Sequence, residues 1–394
     1  MTAKETLTQS IESNIEAYME LVQTMYDNPE IGNEEFETMA LLVDYLTKAG
    51  FETQSAYVVP TGFLATYDTK NKPGPTIAVM CEYDALPEVG HGCGHNLIAA
   101  IGVATGEAVK KVIDTYGGKL LVVGTPAEEN FGGKVSMADA GVFDDVDVAL
   151  MVHPATNHGV GSRSSALYPL KFEFFGQTAH GCHPDLGRSA LDAAVMSYVQ
   201  INLLRQYAAP NSYIHGIIKD GGEAANVIPG YASLEYYFRA PTMAYATYLK
   251  DRAVKAVEGI CLANDVTMKT SVYECPYDDT VINYGLAELL TEKYQEIGLT
   301  DIAPVDEIAT GSTDVGAVSY KCPTIQGFIK IAGEEVGAHT IEMANATISP
   351  EGKQGLIDAA KGLSFTILEL LEKPEVLAKI QKEQEETLAK LAKV

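Results

Sequence analysis

The sequence predicts an α/β protein: a doubly wound, mostly parallel sheet, interrupted by an inserted α+β, ferredoxin-like domain. Three observations carry this. Short apolar runs such as TIAVMCEY (76–83) and LLVVGTPA (120–127) alternate with helical segments up to about residue 165, as βα units do. The rhythm changes near residue 166 to half-exposed alternation, beginning with LYPLKFEFFGQ. At 394 residues and 46% hydrophobic, the chain is long enough for about two domains.

The elements follow in order. Residues 1–50 read as helices, and Gly50 after DYLTKAG is a helix stop. PTIAVMCEYDALP is a buried strand that ends in polar residues. GHGCGHNLIAA (90–100) then opens a strong helix, with Asn96 as a candidate cap of its first turn. KLLVVGTPAEEN is a strand and loop, KVSMADAGVF a short helix, and VDVALMVHPAT another strand and loop. From 166, the order strand-helix-strand-strand-helix-strand is that of a ferredoxin-like unit. The helix NYGLAELLTEKYQEIG and the strand TIQGFIKIAG resume the first domain, and a charged helix closes the chain. The expected boundaries are 1–165 for the first part of the main domain, 166–281 for the insertion and 282–394 for the second part.

Composition excludes several functions. A net charge of −25 repels polyanions, so nucleic-acid binding is not expected. No apolar run approaches the ~20 residues of a membrane span, and MTAKETLTQSIESNIEAYMELV has no signal-peptide core, so a cytoplasmic protein is expected. The six cysteines contain no CxxC pair and do not suggest a disulfide framework.

In doubly wound sheets chemistry sits at the carboxyl ends of the strands. Asp84, Cys93 with His95, Glu128 with Glu129, His153 and His339 each follow an apolar run of the main domain. Thiolate, imidazole and carboxylate suit zinc, or manganese, cobalt or nickel. Cys93 and His95 are two apart, so an extended loop would turn both one way, with Gly92 and Gly94 letting the backbone approach a metal. Five ligands exceed one tetrahedral zinc site and suit two ions that share a ligand. With two adjacent glutamates, one can bind metal while its neighbour moves a proton. The glycines at 90, 92 and 94 fit neither GxGxxG nor GxxxxGK[ST].

These motifs together resemble a known family. CEYDALPEVGHGCGHNLIAA, with NPEIGNEEFET, TPAEENFGGK, GQTAHGCHP, NVIPG, GSTDVGAVS and GAHTIE, is similar to the di-metal amidohydrolases that include aminoacylase, carboxypeptidase G and the auxin-conjugate hydrolases. Within them it is nearest the branch of p-aminobenzoyl-glutamate hydrolase and the aminoacylase-like dipeptidases. The resemblance implies two divalent ions, zinc or manganese, bridged by Cys93. His95 and His153 would complete one site, and Glu129 and His339 the other. Glu128 would be general base and then acid, with Asp84 orienting a ligand. His180 of the inserted lid and dimerisation domain would stabilise the oxyanion, across a homodimer in some relatives. Asn226 and Arg239 would hold a substrate carboxylate or carbonyl. The substrate would be a dipeptide, an N-acyl amino acid or an aminobenzoyl-glutamate-like conjugate.

Two departures stand out. Asn96 replaces the aspartate of CGHD, and Glu82 stands where relatives carry a histidine, a role that His95 is expected to take over. The rival reading is a metal-containing binding protein without turnover. His91 is a candidate support for the metal site, and Thr313 and Asp314 are candidate pocket residues. His180 is preferred over His183, and His158 and His215 are read as structural.

Overall fold

The computed structural model describes residues 1–70, 72–307 and 311–392. The chain divides into two compact units: Met1–Arg163 with Thr280–Ile308 and Asp314–Val394, and Ser164–Asp279 with Ala309–Thr313.

The first unit is built on an eight-stranded sheet. Its strands are β1 (Glu52–Ser55), β2 (Phe63–Asp68), β3 (Thr76–Cys81), β4 (Lys119–Gly124), β5 (Val148–Ala155), β6 (His158–Gly159), β7 (Ile302–Ala303) and β8 (Thr324–Lys330), in the order β1-β2-β4-β3-β5-β8-β6-β7. The central pairs β4/β3, β3/β5 and β5/β8 are parallel. The β1/β2 and β2/β4 pairs are antiparallel.

The continuous apolar runs of the sequence have a simple cause, because both faces of the sheet are covered. On β3, Ile77, Val79 and Cys81 enter one core, while Ala78 and Met80 enter the other. On β5, Val148, Leu150 and Val152 alternate with Ala149 and Met151 in the same way. The helix His95–Tyr116 is buried along most of its length against the first of these cores. Residues 1–50 form helices Ala3–Ser13, Ile15–Asp27 and Phe36–Lys48, but residues 28–35 leave helical geometry. Among the described residues, no helix is long and apolar enough to cross a membrane.

The second unit carries a four-stranded antiparallel sheet. Its spatial order is Thr267–Ser271, Ala166–Phe175, Tyr231–Ala240, Tyr213–Asp220, that is fourth, first, third and second of the main strands. Helices Ala190–Leu203 and Met243–Ala263 pack on it, around a core that includes Phe172, Phe174, Leu234, Tyr236 and Phe238. This is the ferredoxin-like insertion that the element order predicts.

Candidate metal centre and active site

Chemical groups gather where β3, β4 and β5 end. Asp84 lies three residues past β3, Glu128 and Glu129 follow β4, and His153 lies near the end of β5. His339 arrives on the loop after β8, in left-handed conformation (φ 61°), with its N–H donated to the Gly92 carbonyl at 3.0 Å.

The donor atoms form three overlapping groups, each with its atoms within 4.8 Å of one another: Cys93, His95 and His153; Cys93, Glu129 and His339; and His95, Glu128 and Glu129. Cys93 Sγ lies 3.5 Å from His153 Nε2. Glu129 Oε1 is 3.3 Å from His339 Nε2 and 4.0 Å from His95 Nε2. Cys93 therefore belongs to both of the groups that contain a thiol.

Hydrogen bonds aim the rings. His95 Nδ1 lies 2.9 Å from Asp84 Oδ1, and His153 Nδ1 is 2.7 Å from the Pro154 carbonyl. With Nδ1 engaged, each ring turns Nε2 towards the thiol, the arrangement that orients metal-binding imidazoles. Asp84 does double duty: its Oδ2 accepts the backbone N–H of Glu129 at 3.0 Å.

The fit to cations can be judged from what these atoms lack. His95 Nε2 and Glu129 Oε1 are buried without a hydrogen-bond partner, which is costly unless a cation binds there. Burial pushes the Cys93 thiol up to about 12, only partly opposed by His95, so a thiolate at this position needs a cation beside it. Burial lowers His153 to about 4, with His95 adding to the effect, which keeps the ring neutral as a ligand must be. For His95, burial lowers the pKa, but the facing Cys93 and Asp84 outweigh it and raise it well above the ordinary value. The set of thiol, three imidazoles and carboxylate therefore fits divalent metal.

Two local expectations need correction. Cys93 and His95 do not share an extended loop. Cys93 sits in a turn, Gly94 is left-handed (φ 82°), and His95 begins the helix. The glycines also serve the protein's own contacts: a Cβ at Gly92 would lie 3.1 Å from the Thr340 carbonyl oxygen, and one at Gly94 would lie 2.8 Å from Pro154. Asn96 is not the helix cap, a place that Gly94 takes. Its amide donates to the Val22 carbonyl and to Thr347, tying the helix to two distant segments.

The model of peptidase family M20/M25/M40 matches residues 67–351. Xaa-Arg dipeptidase of Mus musculus is 33% identical, over 94% of this chain and 91% of its own.

The chain belongs to the M20/M25/M40 peptidase family.

It is thus an enzyme, a metal-dependent hydrolase of amide bonds. A p-aminobenzoyl-glutamate hydrolase polypeptide from Escherichia coli K12 is 29% identical, over 96% of this chain and 94% of its own length. In fold, the chain is similar to a dinuclear metal-binding M20 peptidase from Bacillus subtilis, with a TM-score of 0.65 at 17% identity, covering 91% of this chain and 99% of that one.

One part of the candidate site escaped the reading of the sequence. Lys134 is fully buried, which is rare for lysine. Its Nζ lies 2.5 Å from Glu82 Oε1 and 2.7 Å from Asp314 Oδ1, and its N–H donates to Asp314 Oδ2 at 3.0 Å. Burial works against the Lys134 charge, but Asp314 and Glu82 outweigh it and raise the pKa. Glu82 Oε2 also lies 3.5 Å from His95 Nε2. Glu128 borders this network. Burial, then Glu82 and Asp314, raise it well above the usual carboxylate range, with His95 and Lys134 opposing. The signal was present in TPAEENFGGK, where a lysine follows the glutamate pair, but a lone lysine at the start of a short helix carries no mark of burial. Asp314, a candidate pocket residue, is held in this network rather than left free.

The remaining catalytic and substrate-binding candidates lie in the second unit. His180 is on the short strand Ala179–His180, and Val227, next to Asn226, pairs with it. His180 Nδ1 accepts the Cys182 N–H at 3.1 Å, so the neutral ring carries its proton on Nε2. Arg239 donates to Ser312 Oγ at 2.6 Å and lies over the Tyr237 ring. In the first unit, His91 is buried and its pKa is lowered to about 3, mainly by burial.

Proposed function

We propose that this chain hydrolyses a dipeptide, an N-acyl amino acid or an aminobenzoyl-glutamate-like conjugate at the amide bond to its amino acid, with Glu128 as general base. The observation that carries this reading is the sharing of Cys93 between the His95–His153 group and the Glu129–His339 group, with Glu128 beside both His95 and Glu129. The named relatives hydrolyse substrates of this kind, an Xaa-Arg dipeptide and p-aminobenzoyl-glutamate.

Cys93, His95, His153, Glu129 and His339 would hold two divalent ions, zinc or manganese, with cobalt or nickel as substitutes. When bound, such ions supply Lewis-acid activation of water and of the scissile carbonyl. The residues of the chain do the rest. Asp84 fixes the His95 ring and the Glu129 backbone. Glu128 takes a proton from the attacking water and returns it to the departing amine nitrogen. His180, with its proton on Nε2, donates to the oxyanion. Asn226 and Arg239 hold the substrate carboxylate or carbonyl.

The second unit also serves as a lid and as the surface of a homodimer. Helix Ala190–Leu203 exposes Val195, Met196, Val199 and Leu203, and the edge strand Tyr213–Asp220 exposes Tyr213, Ile217 and Ile218. A patch of this kind on an open strand edge favours self-association. We place the enzyme in the cytoplasm, acting on small molecules rather than on nucleic acid or membrane. Its free cysteines suit a reducing compartment, and its charge of −25 repels polyanions and anionic lipid.

The test is release of free amine from Xaa-Arg dipeptides and p-aminobenzoyl-glutamate, with zinc or manganese added. Glu128→Gln should lower kcat by roughly 10³-fold while the ions stay bound. Full turnover by that variant, with both ions in place, would show that another group moves the proton.

A further inference from the structure

The segment NPEIGNEE, which leaves helical geometry, runs beneath the turn that carries Glu128. Glu30 accepts the Ala85 N–H through its carbonyl at 2.8 Å, and Ile31 pairs with Ala85. Gly32 passes so close to the turn that a Cβ there would lie 2.4 Å from Asn130 Oδ1 and 3.1 Å from Ala127 Cα. The segment then delivers Glu35, whose carboxylate is fully buried.

Each Glu35 oxygen has a donor. The Ala127 N–H reaches Oε1 at 2.9 Å, and the Thr61 hydroxyl reaches Oε2 at 2.8 Å. Thr61 is held in turn, because the Tyr83 hydroxyl donates to its carbonyl at 2.6 Å. On its other side, the Ala127 carbonyl accepts the N–H groups of Phe131 and Gly132 at 3.1 and 2.9 Å. Ala127 itself is left-handed, with φ 59°. That region is uncommon for a residue with a Cβ and persists only where the surroundings enforce it. The next two residues are Glu128 and Glu129. If Ala127 relaxed to negative φ, the following peptide would swing, and both carboxylates would leave their partners.

We propose that Glu35 is a positioning residue: its buried carboxylate holds Ala127 in the left-handed conformation and so aims Glu128 and Glu129. This rests on the reading of Glu128 as the proton carrier. It gives the NPEIGNEE motif a part in the reaction although Glu35 touches no substrate.

The test compares kcat, KM and the thermal midpoint of four variants in the holoenzyme. Glu35→Ala frees the Ala127 N–H and should lower kcat by about 30-fold or more, with KM within about threefold, because a small misplacement of a catalytic group is that costly. Glu35→Gln should stay within about threefold of the parent, since its amide can accept from Ala127 and donate to Thr61. Adding Ala127→Gly to Glu35→Ala removes the left-handed penalty and should recover kcat by roughly five- to tenfold, measured well below the thermal midpoints so that stability does not limit turnover. A stabilising role alone would give no such rescue. If Glu35→Ala does not fold, Glu35→Asp takes its place, with the charge kept but the reach to Ala127 lost. The proposal is overturned if Glu35→Ala, or Glu35→Asp in its place, keeps kcat within about threefold, or if the glycine restores nothing. Glu128→Gln, assayed alongside, separates the two ideas. An active Glu128→Gln overturns the proton role, whereas an inactive one beside a fully active Glu35→Ala overturns only the clamp.

Discussion

The two sheets of this chain solve different problems. In the first unit helices cover both faces, so β3, β4 and β5 are apolar through their middles, and the candidate ligands gather at or just beyond their carboxyl ends. In the second unit the sheet packs on helices with one core, and apolar side chains remain exposed on helix Ala190–Leu203 and on the edge strand Tyr213–Asp220. A doubly covered sheet concentrates its chemistry at one rim. A sheet with an open edge has a surface to offer a partner. The metal-ligand candidates thus all lie in the first unit, whereas the exposed apolar side chains of the second unit lie on a helix face and an open strand edge.

The largest effect should come from the rim. Cys93 is common to two of the three ligand groups, those that hold His153 and His339, whereas His153 belongs to one. Cys93→Ala should strip the protein of nearly all bound metal and abolish turnover. His153→Ala should leave about one ion per chain, as elemental analysis after gel filtration would show. If both variants lose one ion each, the thiol is not shared.

Next comes the buried cation behind the rim. Lys134→Met leaves Glu82 and Asp314 charged and buried without their partner, and should cost about 3–5 kcal/mol in urea unfolding. Adding Glu82→Gln should recover part of that loss. An unchanged midpoint in Lys134→Met would mean that the ion pairs contribute nothing.

The open sheet answers to a milder change. Val199→Asp places a charge on the exposed helix face and should shift gel filtration and light scattering from dimer to monomer, with the thermal midpoint of the isolated chain little changed. A monomeric parent would remove the assembly role from this surface.

The smallest effect is a pH dependence. Burial, the largest cause, raises Glu35 to about 7. Because the native state then binds the proton more tightly than the unfolded chain, this group stabilises fully below about pH 4.5, and that stability is lost as pH rises through about 7. Glu35→Gln carries no such proton. It should therefore gain stability relative to the parent between pH 5 and pH 8, by up to about 3 kcal/mol at ~1.4 kcal/mol per unit. Parallel denaturation curves at the two pH values would contradict this.

Much of the plan was legible because it rests on periodicity. Runs such as TIAVMC announce doubly buried strands, and the polar residues after each run pick out Asp84, Cys93, His95, Glu128, Glu129, His153 and His339 without any knowledge of contacts. What stayed hidden depends on distance through space. Lys134 looks like any lysine in the first turn of a short helix until Glu82 and Asp314 close around it. Asn96 reads as a helix cap because a cap is a local pattern, whereas its partners are Val22 and Thr347. The left-handed turn at Gly94 likewise replaced an extended loop, since a spacing of two does not fix backbone conformation.

The most direct test of the central claim is anomalous diffraction from crystals grown with zinc. Two peaks about 3.5–4 Å apart, both within bonding distance of Cys93 Sγ, are the expected result. A single peak in an active crystal, or two peaks of which only one touches the sulfur, would contradict it.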